Sequence, residues 1–315
     1  MTSATVLSGR SLAHDICQRI KAGVAILKSE FNISPKLSVI EVGKRRDSTI
    51  YVKRKRWFAL QCGVELSHIR LPSSSSTNAI LKTIQLLNND PNVHGIALQL
   101  PLDSDHDFDV VYPLHTISTE KDVEGLGAVN TALVSREISL LSSRSIRLHI
   151  PCTAAACLAL VRSINFPLKG THCVVVGRGR LVGAPTADLL SGLGGATVTL
   201  CHIYSRNLPD EVSRADLVVS ATGSPGLIRG AWIKPGAVVL DCGYSVVQDS
   251  IAPSKLRSVG DVRFDEAIER AGWITPVPGG VGPLSVAMLF LNTLNSARWA
   301  VGLEGVDTDL IDPPA

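Results

Sequence analysis

His172-Cys-Val-Val-Val-Gly-Arg-Gly-Arg-Leu-Val-Gly183, followed by Ala-Pro-Thr-Ala-Asp-Leu-Leu190, decides the fold. His172 to Val176 is a short apolar run rich in β-branched residues, the pattern of a strand buried in a parallel sheet. It runs straight into Gly177, Gly179 and Gly183, and then into a helix predicted from Pro185 to Leu193. A pyrophosphate cradle needs one glycine for the tight turn, a second for backbone approach to phosphate, and a third for close helix–strand packing. The spacing here, Gly-x-Gly-x-x-x-Gly, is one residue longer than the usual fingerprint. An ordinary βα turn is the plain alternative, and the strand–turn–helix context is what favours a dinucleotide.

An NAD-specific site would carry an acid about 20 residues on, to bond the ribose 2′-hydroxyl. The tip of the next strand reads Thr199-Leu-Cys-His-Ile-Tyr-Ser205, with no acid. Arg178 inside the turn and Arg206 just beyond the strand can both pair with a 2′-phosphate. NADP is therefore the favoured cofactor, with NAD as the alternative.

Outward from this turn, strand and helix patterns alternate along the chain. The expected elements are a helix from Ser11 to Leu27, strand Lys36 to Gly43, helix Ser48 to Gln61 and strand Gly63 to Leu71. Helix Asn78 to Leu87 and the strand His94 to Pro101 follow. The second half reads as helix Ala154 to Ile164, the dinucleotide turn, strands Ala196 to Cys201, Leu217 to Ala221 and Ala237 to Cys242. A loop from Thr275 to Pro283 and a last helix from Leu284 to about Val301 complete it. Such alternation predicts an α/β fold with parallel sheets. At roughly 150 residues per domain, 315 residues suggest two. The weakly patterned, Ser- and Arg-rich stretch Ser135 to Arg147 places the boundary near Leu148: residues 1–148 form one domain, and 149–283 form a Rossmann-type dinucleotide domain.

Composition narrows the function. Aromatics make up only 4% of the chain and the formal net charge is +3. The basic run Lys53-Arg54-Lys55-Arg56, preceded by Lys44, Arg45 and Arg46, reads as a solvated helix face or a site for a small polyanion rather than a nucleic-acid patch. Seven scattered cysteines show no metal-ligand spacing, which indicates free thiols in a reducing compartment. No apolar run reaches the ~18 residues of a membrane span, and the N-terminus lacks a signal-peptide pattern. The expectation is a cytoplasmic protein with no membrane or nucleic-acid partner and no metal.

Tyr51 and Lys55 stand four apart on a predicted helix and share a face. Gln99 closes a buried strand at its C-terminal end, where α/β sheets place ligand crevices. A buried amide needs a partner, and a Lys55–Gln99 pair would satisfy both groups. A lysine beside other cations, partly desolvated, suits base work near neutral pH. From the residues alone, a surface Tyr–Lys face with Gln99 bonded to backbone is an equal alternative.

The run Val42-Gly43 to Asp47-Ser48-Thr-Ile-Tyr51-Val-Lys-Arg-Lys55 resembles the active-site helix of the methylenetetrahydrofolate dehydrogenase/methenyltetrahydrofolate cyclohydrolase family. Gly95-Ile-Ala-Leu-Gln99-Leu-Pro101, Lys121-Asp-Val-Glu-Gly125, Pro151-Cys-Thr153, Val174-Val-Val-Gly-Arg178, Val259-Gly-Asp-Val262 and Thr275-Pro-Val-Pro-Gly-Gly-Val-Gly-Pro283 resemble its other motifs, in the family's order. The resemblance implies a catalytic folate domain and an NADP domain with the cleft between them, helix 284–303 packing back on the first, and a homodimer. It implies oxidation of 5,10-methylenetetrahydrofolate with NADP and hydrolysis of the methenyl product to 10-formyltetrahydrofolate, within one-carbon metabolism and purine biosynthesis. Lys55 would activate water, Tyr51 would stack on the folate, and Gln99 would hold and tune Lys55. Ser48, Leu98, Leu100, Glu124 and the loop residues Pro278, Gly279, Gly280, Val281 and Gly282 would contact substrate. Gly177, Arg178, Gly179, Gly183, Ile203 and Tyr244 would contact the dinucleotide.

Glu124 stands where the family has Asp, whose carboxylate would meet the pterin's amino-pyrimidine edge; Asp122 matches a structural acid. Gly179 and Ile203 each replace a Ser and remove hydroxyl donors near a 2′-phosphate. The helix start after Pro151 lacks the family's Pro and Gly, and Leu284-Ser285 replaces Met-Thr. Alternatives that remain are one activity of the two, a folate or nucleotide binder without turnover, and a non-folate dehydrogenase.

Overall fold

The computed structural model describes residues 3–106, 109–136, 147–248 and 256–306, without the side chains of Arg46 and Asp47. Most of the Ser- and Arg-rich stretch that set the sequence boundary, 137–146, lies outside the described residues. In chain order the first elements are β1 (Thr5–Val6), α1 (Gly9–Phe31), β2 (Lys36–Val42), α2 (Arg46–Cys62), β3 (Glu65–Leu71), α3 (Thr77–Asn89), β4 (Gly95–Leu98), α4 (Val111–Thr116), α5 (Ala128–Arg136) and α6 (Cys152–Ser163). They are followed by β5 (His172–Val176), α7 (Gly183–Gly192), β6 (Thr197–Cys201), α8 (Leu208–Ser213), β7 (Leu217–Ser220), β8 (Val238–Asp241), β9 (Ser245–Gln248), β10 (Leu256–Val259), α9 (Phe264–Ala267), β11 (Trp273–Ile274) and α10 (Val281–Ala300).

The chain divides into two compact units: 14–152 with 286–315, and 1–13 with 153–285. The N-terminal strand therefore differs from the sequence division. Thr5 and Val6 pair in parallel with Trp273 and Ile274, in the sheet that also holds β5.

In the unit of residues 14–152, β2 is the centre of a three-stranded sheet, order β3-β2-β4, parallel to both neighbours. Its two crossovers leave in opposite directions, so the order reverses at the C-terminal end of β2. Open α/β sheets offer their ligand crevice at such a reversal. Ile40, Val42, Ile80, Ile84, Ile96 and Leu98 form the core under α3 and α4. At about 1.5–3 kcal/mol per buried Ile, Leu or Val side chain, these inward side chains of β2, β4 and α3 rather than the exposed helix faces carry the stability. On α10, Phe290 stacks its ring 5.2 Å from that of Phe58 on α2.

In the other unit the sheet runs β1-β11-β8-β7-β5-β6, with every pairing parallel. Here the order reverses at β5, whose end is Gly177. Val174, Val176, Val218, Val239 and Ile274 supply the core that the apolar runs predicted. A hairpin of β9 and β10 stands apart from this sheet.

Candidate functional site

Helix α2 buries Val52, Lys55, Phe58, Ala59 and Cys62, a stripe at helical spacing into which one lysine is built. Lys53, Arg54 and Arg56 are exposed, as a single helix face requires. Lys55 keeps only 6% of its surface, and its Nζ lies 3.2 Å from Glu124 Oε1. One turn earlier Tyr51 is half-buried, with the Arg54 guanidinium carbon 5.7 Å from its ring centre. Ser48 is buried and its hydroxyl donates to Pro101 O at 3.3 Å.

Gln99 sits just past β4, its backbone N–H donating to Ile40 O. Its side-chain Nε2 donates to Leu100 O at 2.8 Å, while the buried Oε1 has no donor among the described residues. The expected Lys55–Gln99 pair is therefore not formed. An ionised carboxylate is the stronger partner for an ammonium than a neutral amide, and Glu124 comes within reach. Leu98 is fully buried in the core, which leaves only its backbone for a ligand; Leu100 is half-buried at the edge.

The motif Lys121 to Gly125 divides its labour. Lys121 Nζ donates to the carbonyls of Leu87, Asn88 and Asp90, closing the C-terminal end of α3. Asp122 is the structural acid the sequence suggested: it accepts from the backbone of Leu126 and Gly127 and from Asn130 Nδ2. Burial pushes its carboxyl up to about 6, against the lowering effect of these bonds. Only Glu124 turns to Lys55. Asn292 of α10 steadies the same segment, donating to Val123 O and Ile150 O.

In the other unit the turn after β5 is shaped by missing side chains. Gly177 has φ +104°, and a Cβ there would lie 2.2 Å from Ala221 O. A Cβ on Gly183, the first residue of α7, would fall on Gly177 O. Gly179 faces open space, and Arg178 is exposed beside it. At the tip of β6, Ile203 is 90% exposed and Arg206 is also exposed. Tyr244 receives a hydrogen bond from the Ser258 hydroxyl at 3.0 Å.

The expected loop Thr275 to Pro283 is shorter than predicted, because α10 already begins at Val281. Proline costs little in a first helical turn, where its missing N–H is not needed. Pro278 and Gly282 are exposed, whereas Gly279, Gly280 and Val281 are buried.

Sequence reasoning missed two acids of this unit. Asp261 accepts from the Ser220 hydroxyl and the backbone N–H groups of Thr222 and Gly223. Asp241 accepts from the backbone of Gly243, Asp261 and Val262. Together they fasten the loops after β7 and β8. Burial, reinforced by the charge of Asp261, pushes Asp241 up to about 6. An acid ending an apolar strand, at Ala237 to Cys242, was the available signal. Among the described residues no group of three or more His, Cys, Asp or Glu could hold a metal, and no helix is long and apolar enough to cross a membrane.

A parallel sheet reversing at a glycine-rich turn, with a separate unit presenting a buried lysine at its own reversal, defines a two-unit α/β protein of the NAD(P)-binding class. Residues 151–301 match the model of the tetrahydrofolate dehydrogenase/cyclohydrolase NAD(P)-binding domain, and residues 7–124 match that of its catalytic domain. The chain belongs to the tetrahydrofolate dehydrogenase/cyclohydrolase family. It is 42% identical over 299 residues to the human cytoplasmic C-1-tetrahydrofolate synthase, covering 95% of this chain but 31% of that protein. The chain thus spans about a third of the length of the synthases it matches. The bifunctional protein FolD of Caulobacter sp. (strain K31) is 40% identical, over 96% of this chain and 99% of its own. A solved structure of Trypanosoma brucei methylenetetrahydrofolate dehydrogenase-cyclohydrolase, complexed with NADP and inhibitor, is 40% identical with a TM-score of 0.88, covering 96% of this chain and all of that one.

Proposed function

We propose that this chain oxidises 5,10-methylenetetrahydrofolate with NADP and hydrolyses the resulting methenyl compound to 10-formyltetrahydrofolate. The observation that carries the reading is Lys55, a lysine side chain held in the apolar stripe of α2 beside Glu124 and one turn from Tyr51. An ionisable group is costly to bury, and such groups concentrate where chemistry uses them.

The turn from Gly177 to Gly183 fits a dinucleotide: its two crowded glycines let backbone come close, and the N-terminus of α7 favours anionic phosphate. Arg178 would pair with the 2′-phosphate, and Gly179, Ile203 and Tyr244 would border it. Bound NADP supplies the hydride acceptor. The protein's part in that step is to hold the methylene carbon and the nicotinamide close together. In the second step Lys55, acting as a neutral amine, takes a proton from the attacking water as the water's oxygen bonds to the methenyl carbon. The bond from that carbon to N5 then breaks as the new hydroxyl gives up its proton, N5 keeps the electron pair and takes up a proton, and the formyl group stays on N10. Tyr51 would stack on the folate, Gln99 would use its free Oε1 to orient Lys55 or substrate, and Glu124 would accept from the pterin's amino-pyrimidine edge. Ser48, Leu98, Leu100 and the segment Pro278 to Gly282 complete the proposed contacts. The folate domain is assigned to 1–148 with 284–303, and the dinucleotide domain to 149–283.

The family resemblance supports a homodimer that supplies one-carbon units for purine biosynthesis in the cytoplasm. Nucleic acid and membrane are not among the proposed partners.

A second reading follows from the Lys55–Glu124 pair. A Glu124 that keeps Lys55 during turnover would leave the dehydrogenase without the hydrolase. One assay tests both readings: purified protein with methylenetetrahydrofolate and NADP or NAD, following reduced cofactor and methenyl species separately. Formation of both reduced cofactor and 10-formyl product is expected. Accumulating methenyl compound would select the one-activity form, and no cofactor reduction would overturn the proposal.

A further inference from the structure

Glu41 has no part in the chemistry just proposed, yet it lies in the central strand β2 and is completely buried. A buried carboxylate persists only where donors surround it. Its Oε2 meets His68 Nε2 at 2.7 Å and accepts from Arg70 at 2.9 and 3.1 Å. Both partners stand on β3, and Arg70 is the register partner of Glu41. The strands therefore fix this carboxylate without help from any helix.

Its other oxygen serves a helix. Oε1 accepts from the Thr49 hydroxyl at 3.1 Å, across from β2 to the first turns of α2. The preceding residue, Ser48, donates to Pro101 O just beyond β4. Two adjacent hydroxyls thus tie the start of α2 to β2 and to the segment that follows β4. The N-cap residue Arg45 makes no side-chain cap bond. Thr49 lies two residues before Tyr51 and six before Lys55, about 9 Å along a helix axis. A rigid helix carries any slip at Thr49 to both.

We propose that Glu41, acting through Thr49, is a positioning residue that sets the rotation and height of α2 and so places Tyr51 and Lys55. This rests on the roles proposed above for those two side chains. A displacement near 1 Å costs about 10²-fold in rate, so one hydrogen bond at the helix start has leverage far beyond its own strength.

The test compares wild type with Thr49→Val, Thr49→Ser and Lys55→Met, measuring hydrolysis of added methenyltetrahydrofolate, NADP affinity and amide exchange along α2. Thr49→Val keeps shape and removes only the donor. Its kcat should fall about tenfold or more, with a smaller change in KM, unchanged NADP affinity, and faster exchange over residues 46–51 but not in α3. Thr49→Ser, which restores the hydroxyl, should recover most of the rate and of the protection. Wild-type exchange in Thr49→Val, an undiminished kcat, or no recovery with Thr49→Ser would overturn the inference. A wild-type chain no faster than Lys55→Met would overturn the proposed function instead, and exchange in α2 would still decide whether Thr49 anchors the helix.

Discussion

The two units share a plan and differ in material. Each has a parallel sheet that reverses at a central strand, β5 in one and β2 in the other, with its candidate site at that strand's C-terminal end. The unit of Gly177 builds its site from backbone, and its crowded glycines exclude even one added carbon. The unit of Lys55 builds from long side chains, several ionisable, brought together from β2, α2, β4 and the segment around Glu124. A backbone cradle should therefore tolerate changed side chains but no added Cβ at its crowded points. A buried ionic site should tolerate neither a change of charge nor a shift of the helix that carries its lysine.

Substitution in each unit puts this contrast at risk. The largest effect is expected for Lys55→Met, which should lower methenyl hydrolysis about 10²–10⁴-fold while NADP affinity, read by fluorescence titration, stays within about twofold. Next comes Gly183→Ala. A Cβ there collides with Gly177 O, so NADP affinity should drop tenfold or more by a misplacement of ~1 Å, with hydrolysis of added methenyltetrahydrofolate retained. Loss of both activities together would break the separation of the two sites.

Acid should also distinguish the units. Burial holds His94 and His149 down at about 4, below the ordinary value of an unfolded histidine. Their stabilising contribution is present above about 6.5 and is lost as pH falls toward 4. Asp122 and Asp241, pushed up to about 6, work in reverse: their contribution is present below about 4 and is lost as pH rises through 6. Two histidines against one aspartate in 14–152 should make that unit less protected on going from pH 6.5 to 5. Asp241 should make 153–285 more protected. Hydrogen-exchange protection factors measured at both values check the opposite signs.

The smallest effects concern the two departures from the family pattern. Glu124→Asp should hold folate affinity within about threefold or improve it, since the shorter arm gives up Lys55 more readily; a sharp loss would mean the site has formed around Glu. Gly179→Ser adds a hydroxyl in open space and should raise NADP affinity by a few-fold, the yield of about one hydrogen bond.

Much of this was legible in the residues, for identifiable reasons. The turn at Gly177 is a local object: the strand, the glycines and the helix that follows are contiguous, so their spacing reports their geometry. That Tyr51 and Lys55 share a helix face was also readable from their spacing, but the burial of that face was decided by the fold, which packs Val52, Phe58 and Cys62 inward beside Lys55. The partner of Lys55 was not readable. A neutral amide at the end of β4 looked adequate until the fold brought in a carboxylate. Strand β1 was missed because two residues carry no periodicity, and the early start of α10 because Gly282-Pro283 reads as turn chemistry.

The sequence alone determined two α/β units, a dinucleotide-type turn, a shared face for Tyr51 and Lys55 on α2 and the family, all of which rest on patterns within short windows. Only the tertiary structure decided that Glu124, 69 residues from Lys55, is the group that pairs with it. It also decided that Glu41 gathers His68, Arg70 and Thr49, and that the Asp261 backbone N–H donates to the Asp241 carboxylate. The physical reason is the same in each case. Periodicity tells which way a side chain faces, but the partner it meets there is chosen by strand order and register, which no short window contains.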